Sequence, residues 1–272
     1  MSISVVNAWK IETASATSTG LTTLSGSNGT GTPSTGNTVV VAISSGNTNA
    51  NNDAYTNHTV SDNNGGTWTR MTGCTSNTTG GVGYGCCTSI WYQVNNSGFT
   101  QVSVGDSTTE NIIVGIIHEV SGLGSAPFTS GEYASLATYD SSVPTTIGSG
   151  SFNTATANSI LFAAISMSNT VLPTMALNGT GSVPSSGWAF QSSTYSQETS
   201  LTYYPIWVPN IIVSSTQTGA NHTWGVSNNA GQNMPGCVCA LHVTGGAETI
   251  LADKWFSETR QPVITKTEVV SY

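Results

Sequence analysis

The amino-acid sequence predicts an all-β fold: an antiparallel, jelly-roll-like two-sheet sandwich of about 10–12 strands with an extended C-terminal arm. Three observations carry this expectation. Thr, Val and Ile suit a pleated, half-buried surface, while the abundant Gly and Asn supply turns with positive φ. Apolar or Thr-rich runs of strand length recur along the chain, each bounded by Gly, Asn, Pro or Ser. Residues that favour helices are sparse outside the last thirty positions, so little helix is expected.

In chain order, a first series of strand candidates is Thr38 to Ile43, His58 to Ser61, Thr67 to Met71, Thr88 to Val94, Thr100 to Val104 and Ile112 to Val120. A second series is Ser159 to Ser166, Trp188 to Gln191, Thr199 to Trp207, Ala220 to Val226 and Gly236 to Thr244. Asp62-Asn63-Asn64-Gly65-Gly66 and Asn95-Asn96-Ser97-Gly98 separate neighbouring candidates. Such residues tolerate the backbone of tight hairpins, so they predict antiparallel meanders with loops gathered at the sandwich ends.

The segment Gly36 to Ser44 resembles Ala157 to Ser166. Each half then closes on a comparable strand, ending near Ser121-Gly122-Leu123 or Thr244-Gly245-Gly246. The duplication predicts corresponding strands side by side around one shared core, so residues 1–246 are read as one domain, with 1–35 as its N-terminal strand or arm.

Residues 247–272 differ in style, holding seven of the eighteen charged residues. Ala247 to Arg260 reads as a short helix and Pro262 to Tyr272 as an extended arm. An ordered tail outside a finished sandwich needs a surface to lie on, and a neighbouring subunit is the expected one. Trp255, Phe256, Arg260, Val263, Ile264, Val269 and Tyr272 are the candidate contact residues of this arm.

Charge narrows the function classes. Only 7% of residues are charged, five of them basic, and the formal net charge is −8. Neutralising a phosphate backbone takes clustered Lys and Arg, so nucleic acid is not an expected partner. No run approaches eighteen apolar residues, so membrane insertion is not expected. The opening Met1-Ser2-Ile3-Ser4-Val5-Val6-Asn7 has neither a basic start nor an apolar stretch with a cleavage site, and synthesis without a secretory signal is expected.

Val60-Ser61-Asp62-Asn63-Asn64-Gly65-Gly66-Thr67-Trp68-Thr69, then Ser89-Ile90-Trp91-Tyr92-Gln93-Val94-Asn95-Asn96-Ser97-Gly98, then His118-Glu119-Val120-Ser121-Gly122 resemble a series of hairpins and a closing strand in sandwich domains of phage and bacterial surface proteins. The likeness spans roughly residues 36–245 and rests on turn-and-strand signatures. It implies a jelly-roll or lectin-like sandwich of the kind found in virion decoration proteins, tail fibres and adhesive proteins. Trp68 stands where those domains usually have Tyr, and a Cys pair precedes the second hairpin.

Little in the sequence points to catalysis. Between residues 13 and 247 the carboxylates are Asp53, Asp62, Asp106, Glu110, Glu119, Glu132, Asp140 and Glu198. Asp62 and Asp106 sit in or beside turns, where Asp ordinarily caps backbone N–H groups. His118 and Glu119 are strand neighbours and point to opposite faces. Cys237, Cys239 and His242 form the one group suggesting a metal, but two thiols on one strand face equally describe buried apolar cysteines. No metal or other cofactor is expected. Cys74 and the vicinal Cys86-Cys87 flank a Gly-rich loop, so Cys74 bridging to either one is a disulfide candidate, which a reducing cytoplasm would delay until release.

The aromatic residues Trp68, Trp91, Tyr92, Trp188, Tyr203, Tyr204, Trp207 and Trp224 remain. Flat rings stack on sugar faces and side-chain amides bond hydroxyls, so Trp68, Trp188, Tyr203 and Trp224 are candidate glycan contacts, while Trp91 and Trp207 read as core. The expectation that results is a non-enzymatic virion protein: a decoration or cement protein on neighbouring capsid subunits, assembled as a homo-oligomer, with a trimer as the guess. The alternative is a tail-fibre or surface module recognising host glycans.

Overall fold

A computed structural model of the chain describes residues 2–13, 19–23, 32–47, 55–76, 85–95, 98–106, 112–140, 145–168, 175–177, 188–190, 206–226 and 232–243. The C-terminal arm, residues 247–272, lies outside the described residues. The N-terminal half contributes β1 (Ser4–Thr13), β2 (Thr19–Thr23), β3 (Thr38–Asn47), β4 (His58–Asp62), β5 (Thr69–Ser76), β6 (Gly85–Val94), β7 (Gln101–Asp106) and β8 (Ile112–Ser121). The C-terminal half contributes β9 (Tyr133–Asp140), β10 (Thr145–Gly148), β11 (Ser159–Ser166), β12 (Met175–Leu177), β13 (Ile206–Trp207), β14 (Asn210–Val213), β15 (Thr223–Val226) and β16 (Gln232–His242). A single 3-10 turn, Tyr55–Asn57, is the one helical element among the described residues.

The fold is all-β and antiparallel, as the composition predicts, but the two turns read as hairpins, 62–66 and 95–98, instead carry the chain between sheets, from β4 to β5 and from β6 to β7. A large sheet has the order β1-β8-β3-β6-β5 and is covered by a small one, β2-β7-β4. The second half repeats the plan: β13-β11-β16-β9 is covered by β10-β15-β12, with β14 also on β11. Strands β9, β10, β11, β12, β15 and β16 thus take the places of β1, β2, β3, β4, β7 and β8. Strands β13 and β14, separated by Val208 and Pro209, together fill the place of β6, and Ala163 N–H bonds the Pro209 carbonyl across the break.

The four sheets stack, and three apolar layers lie between them. Between the two large sheets sit Val40, Ala42, Ile90, Val114 and Ile116 against Ile160, Phe162, Ala164, Cys239 and Leu241. Val39, Val41, Ile43, Ile113 and Ile117 face the first small sheet through Val102, Val104 and Phe99. Leu161, Ala163, Ile165, Val238 and Ala240 face the second through Ile147 and Trp224.

This stacking explains the unbroken apolar runs. A central strand such as β11, buried at every position, has no solvent face on which to alternate. Each fully buried Ile, Leu or Phe there contributes roughly 1.5–3 kcal/mol of transfer free energy.

Each half is a two-sheet sandwich, and the halves share the middle apolar layer. They are stacked face to face, whereas the sequence predicts corresponding strands side by side. Val40 and Ala42 of β3 and Ile160, Phe162 and Ala164 of β11 all face the middle layer. The additional strands β1, β2, β9 and β10 include Ser/Thr-rich segments without an apolar run, which is why the sequence does not mark them.

Candidate functional site

Four histidines are present, at positions 58, 118, 222 and 242, and all are buried. His58, at the start of β4, projects between the first large sheet and its cover. Its Nε2 lies 2.7 Å from Ser45 Oγ and 3.7 Å from Asp106 Oδ2, and its Nδ1 lies 2.6 Å from Ser89 Oγ. Ser89 Oγ also accepts a bond from Trp91 Nε1 at 2.9 Å. The nearby Asp106 carboxylate favours the Nε2–H tautomer, leaving Ser89 to donate to Nδ1.

The grouping contains the residue types of a Ser-His-Asp triad. Ser45, Ser89 and His58 are no more than 1% exposed, however, so an acyl substrate has no access. Burial, with the Arg70 charge adding, lowers the His58 imidazole to about 3. It is neutral near pH 7 and ties the two sheets together.

Two further carboxylates act as latches, one in each half. Glu119 on β8 accepts from Asn7 Nδ2 at 2.6 Å, Asn37 Nδ2 at 2.6 Å and Ser34 N–H at 2.7 Å, fixing the segment that enters β3. Glu132, just before β9, accepts from Ala155 N–H at 2.5 Å and lies 3.1 Å from His242 Nδ1, fixing the segment that enters β11. Their partners belong to neighbouring segments of the same chain, so both groups hold structure together.

The glycan candidates separate. Trp188 and Trp224 are buried under the second small sheet, where they flank His222 at centroid distances of 4.6 and 4.5 Å. Burial lowers His222 to about 3, and neither of its ring nitrogens has a hydrogen-bond partner. Trp68 is half-buried, packs on Phe99 at 5.8 Å, and donates its Nε1–H to Asp62 Oδ2 at 2.9 Å. Tyr203 and Tyr204 lie outside the described residues. Trp207 is buried as expected, and Trp91 is half-buried beneath the Arg70 guanidinium.

None of the five cysteines is in a disulfide, and all are buried. Cys74 stands opposite Thr88, while Cys86 and Cys87 stand opposite Ser76 and Thr75, so neither member of the pair faces Cys74 directly. Burial raises the Cys74 thiol to about 11 and pushes Cys237 and Cys239 higher still. Cys237 and Cys239 face the middle layer; His242, of opposite parity on β16, turns away from them toward Glu132. Among the described residues no group of three or more His, Cys, Asp or Glu converges as a metal site would need.

An open cleft of about 310 Å³ lies at the corner of the first large sheet, with walls formed by Gly66, Thr67, Thr69, Tyr92, Gln93, Val94 and Ser125. It exists because β5 begins at Thr69, opposite Tyr92, so the last two residues of β6 run on without a β5 partner. Asp62 draws the adjoining turn tight, accepting from Asn64 N–H at 2.8 Å and Gly66 N–H at 3.2 Å. A Cβ at Gly66 would fall 1.6 Å from Gln93 Nε2, so only glycine leaves the Gln93 amide in this place. Of the aromatic residues singled out in the sequence, Tyr92 lines this cleft among the described residues; Gln93 and Ser125 carry no sequence signal, because a late strand start leaves none. Comparison with known protein families, with curated proteins and with solved structures finds no match.

Proposed function

We propose that this protein is a non-enzymatic structural component of a bacteriophage particle, a decoration protein that binds neighbouring capsid subunits through residues 247–272. The observation that carries the non-enzymatic part is the sealing of His58, Ser45, Ser89 and Asp106 between two sheets, which leaves acid–base groups out of reach of substrate. The low charge, the turn-and-strand segments that resemble those of virion sandwich domains and the distinct C-terminal composition support the setting. A homo-oligomer, in keeping with the three-fold positions that decoration proteins often occupy, is part of the same reading.

Mass spectrometry of purified virions tests it. The chain is expected in many copies per particle, and deletion of residues 247–272 is expected to abolish particle binding while the circular dichroism spectrum stays that of a β protein. Absence from the particle, or normal binding by the deletion variant, overturns the reading. The open neutral cleft favours a second reading, a surface module that recognises host glycans.

A further inference from the structure

We propose that the cleft at the Tyr92–Gln93 corner is a binding site for a neutral oligosaccharide, which it holds between hydroxyl and amide groups and the ring of Tyr92. The proposal rests on the glycan-recognition reading for its ligand type, and it adds the place, the charge and the contact residues.

The cleft carries no available charge. Asp62, the nearest carboxylate, is occupied by two backbone N–H groups and the Trp68 indole. Arg70 donates to the carbonyls of Tyr55 and Thr56 and lies over the Tyr55 and Trp91 rings, away from the cleft. The groups left facing the opening are the hydroxyls of exposed Thr67, Thr69 and Ser125 and the half-buried ring of Tyr92. These groups match the hydroxyls and apolar ring faces of an uncharged sugar and offer nothing to a carboxylate or phosphate.

Gln93 supplies an independent sign of a missing ligand. Its side chain is 5% exposed, forms part of the cleft wall, and its carbonyl oxygen has no hydrogen-bond partner. A buried amide is ordinarily satisfied. Rotation about its last torsion, which is broad, turns either end of this amide toward a hydroxyl in the cleft.

Tyr92 is the aromatic ring that lines the cleft. Phe128, with its centroid 5.9 Å from that ring, packs on the middle layer. The volume of about 310 Å³ is at the lower end of small-molecule sites, which fits a short segment of an oligosaccharide chain.

The test uses the full chain. A glycan array carrying neutral and sialylated oligosaccharides is followed by titration with maltotriose, chitotriose, mannotriose and sialyllactose, monitored by tryptophan and tyrosine fluorescence. At least one neutral trisaccharide is expected to bind and sialyllactose is not. Tyr92→Ala is expected to weaken binding at least tenfold. Because Tyr92 also packs on the middle layer, Ser125→Trp serves as the second variant: it fills the cleft from an exposed turn, and it is expected to abolish binding with the melting temperature unchanged. Neutral-sugar binding unaffected by Ser125→Trp overturns this site but leaves glycan recognition standing. No binding to any glycan overturns both, and binding confined to sialylated glycans overturns the neutral class.

Discussion

Lowering the pH from 8 to 5 is expected to destabilise this protein through three histidines that cannot be protonated in place. Burial holds His58 and His222 at about 3 and His118 at about 4, against an unfolded value of 6.5. The folded values are depressed, so the unfolded chain takes up a proton as pH falls through 6.5 while the folded chain does not until pH 3 to 4. The contribution is therefore fully present above about pH 7 and is lost as the medium acidifies.

At pH 5 the unfolded imidazole is stabilised by about 1.5 pH units, or roughly 2 kcal/mol per histidine, giving roughly 6 kcal/mol for the three. That is comparable to the whole stability of many domains, about 5–15 kcal/mol. With a urea dependence of about 4 kcal/mol per molar, reasonable for a chain longer than the small proteins that set the usual range, the midpoint should fall by about 1.5 M. Urea unfolding followed by circular dichroism at pH 8 and pH 5 measures this. His222→Phe, which fits between Trp188 and Trp224 and removes ring nitrogens that have no partner, should retain pH 8 stability and take away about a third of the drop. Equal midpoints at the two pH values, or a drop untouched by His222→Phe, would refute the argument.

Three further outcomes follow from single contacts. All five thiols should resist a thiol reagent in the folded protein and react together on unfolding, because they are buried and those of Cys74, Cys237 and Cys239 are held well above the ordinary thiol range; rapid native labelling of any one contradicts this. Glu119→Ala leaves two amide groups and one backbone N–H without their acceptor, and should cost about 3–5 kcal/mol in urea unfolding. A loss below about 1 kcal/mol would show that Glu119 is not a latch. Gly122 has φ +82° and a Cβ there would meet Ser2 O at 2.3 Å, while Gly131 has φ +94° with nothing within 4 Å. Gly122→Ala should therefore destabilise more than Gly131→Ala, which carries only the backbone strain of about 1–2 kcal/mol; thermal melts of the pair decide it.

The sequence made the strand content legible wherever a strand is buried on both faces. Thr38 to Ile43, Ile112 to Val120 and Ser159 to Ser166 stood out because two apolar layers demand apolar residues at every position. The covering sheets were harder to read, since β2 and β10 are short and rich in Thr, and nothing local separates them from loops. The repeat is legible in two similar strand segments and the strands that close each half, but these do not say whether two copies join edge to edge or face to face. That choice shows in the middle apolar layer, to which β3 gives Val40 and Ala42 and β11 gives Ile160, Phe162 and Ala164. At the site, aromatic residues are the sequence's candidates because flat rings stack on sugar faces, yet the same apolar rings place Trp188 and Trp224 inside. The open corner depends on where β5 starts, which is a tertiary outcome of the Asp62 turn and the Gln93 side chain.

The face-to-face junction also orders events during synthesis. When β8 has been made, the first half holds all five strands of its large sheet, yet Val40, Ala42, Ile90, Val114 and Ile116 remain uncovered until β16 arrives. Translation at about 5–20 residues per second leaves that oily surface open for roughly 6–24 s. During that interval the nascent protein presents the very surface its own second half will seal, so polysomes carrying several such chains bring like surfaces together before each can close upon itself.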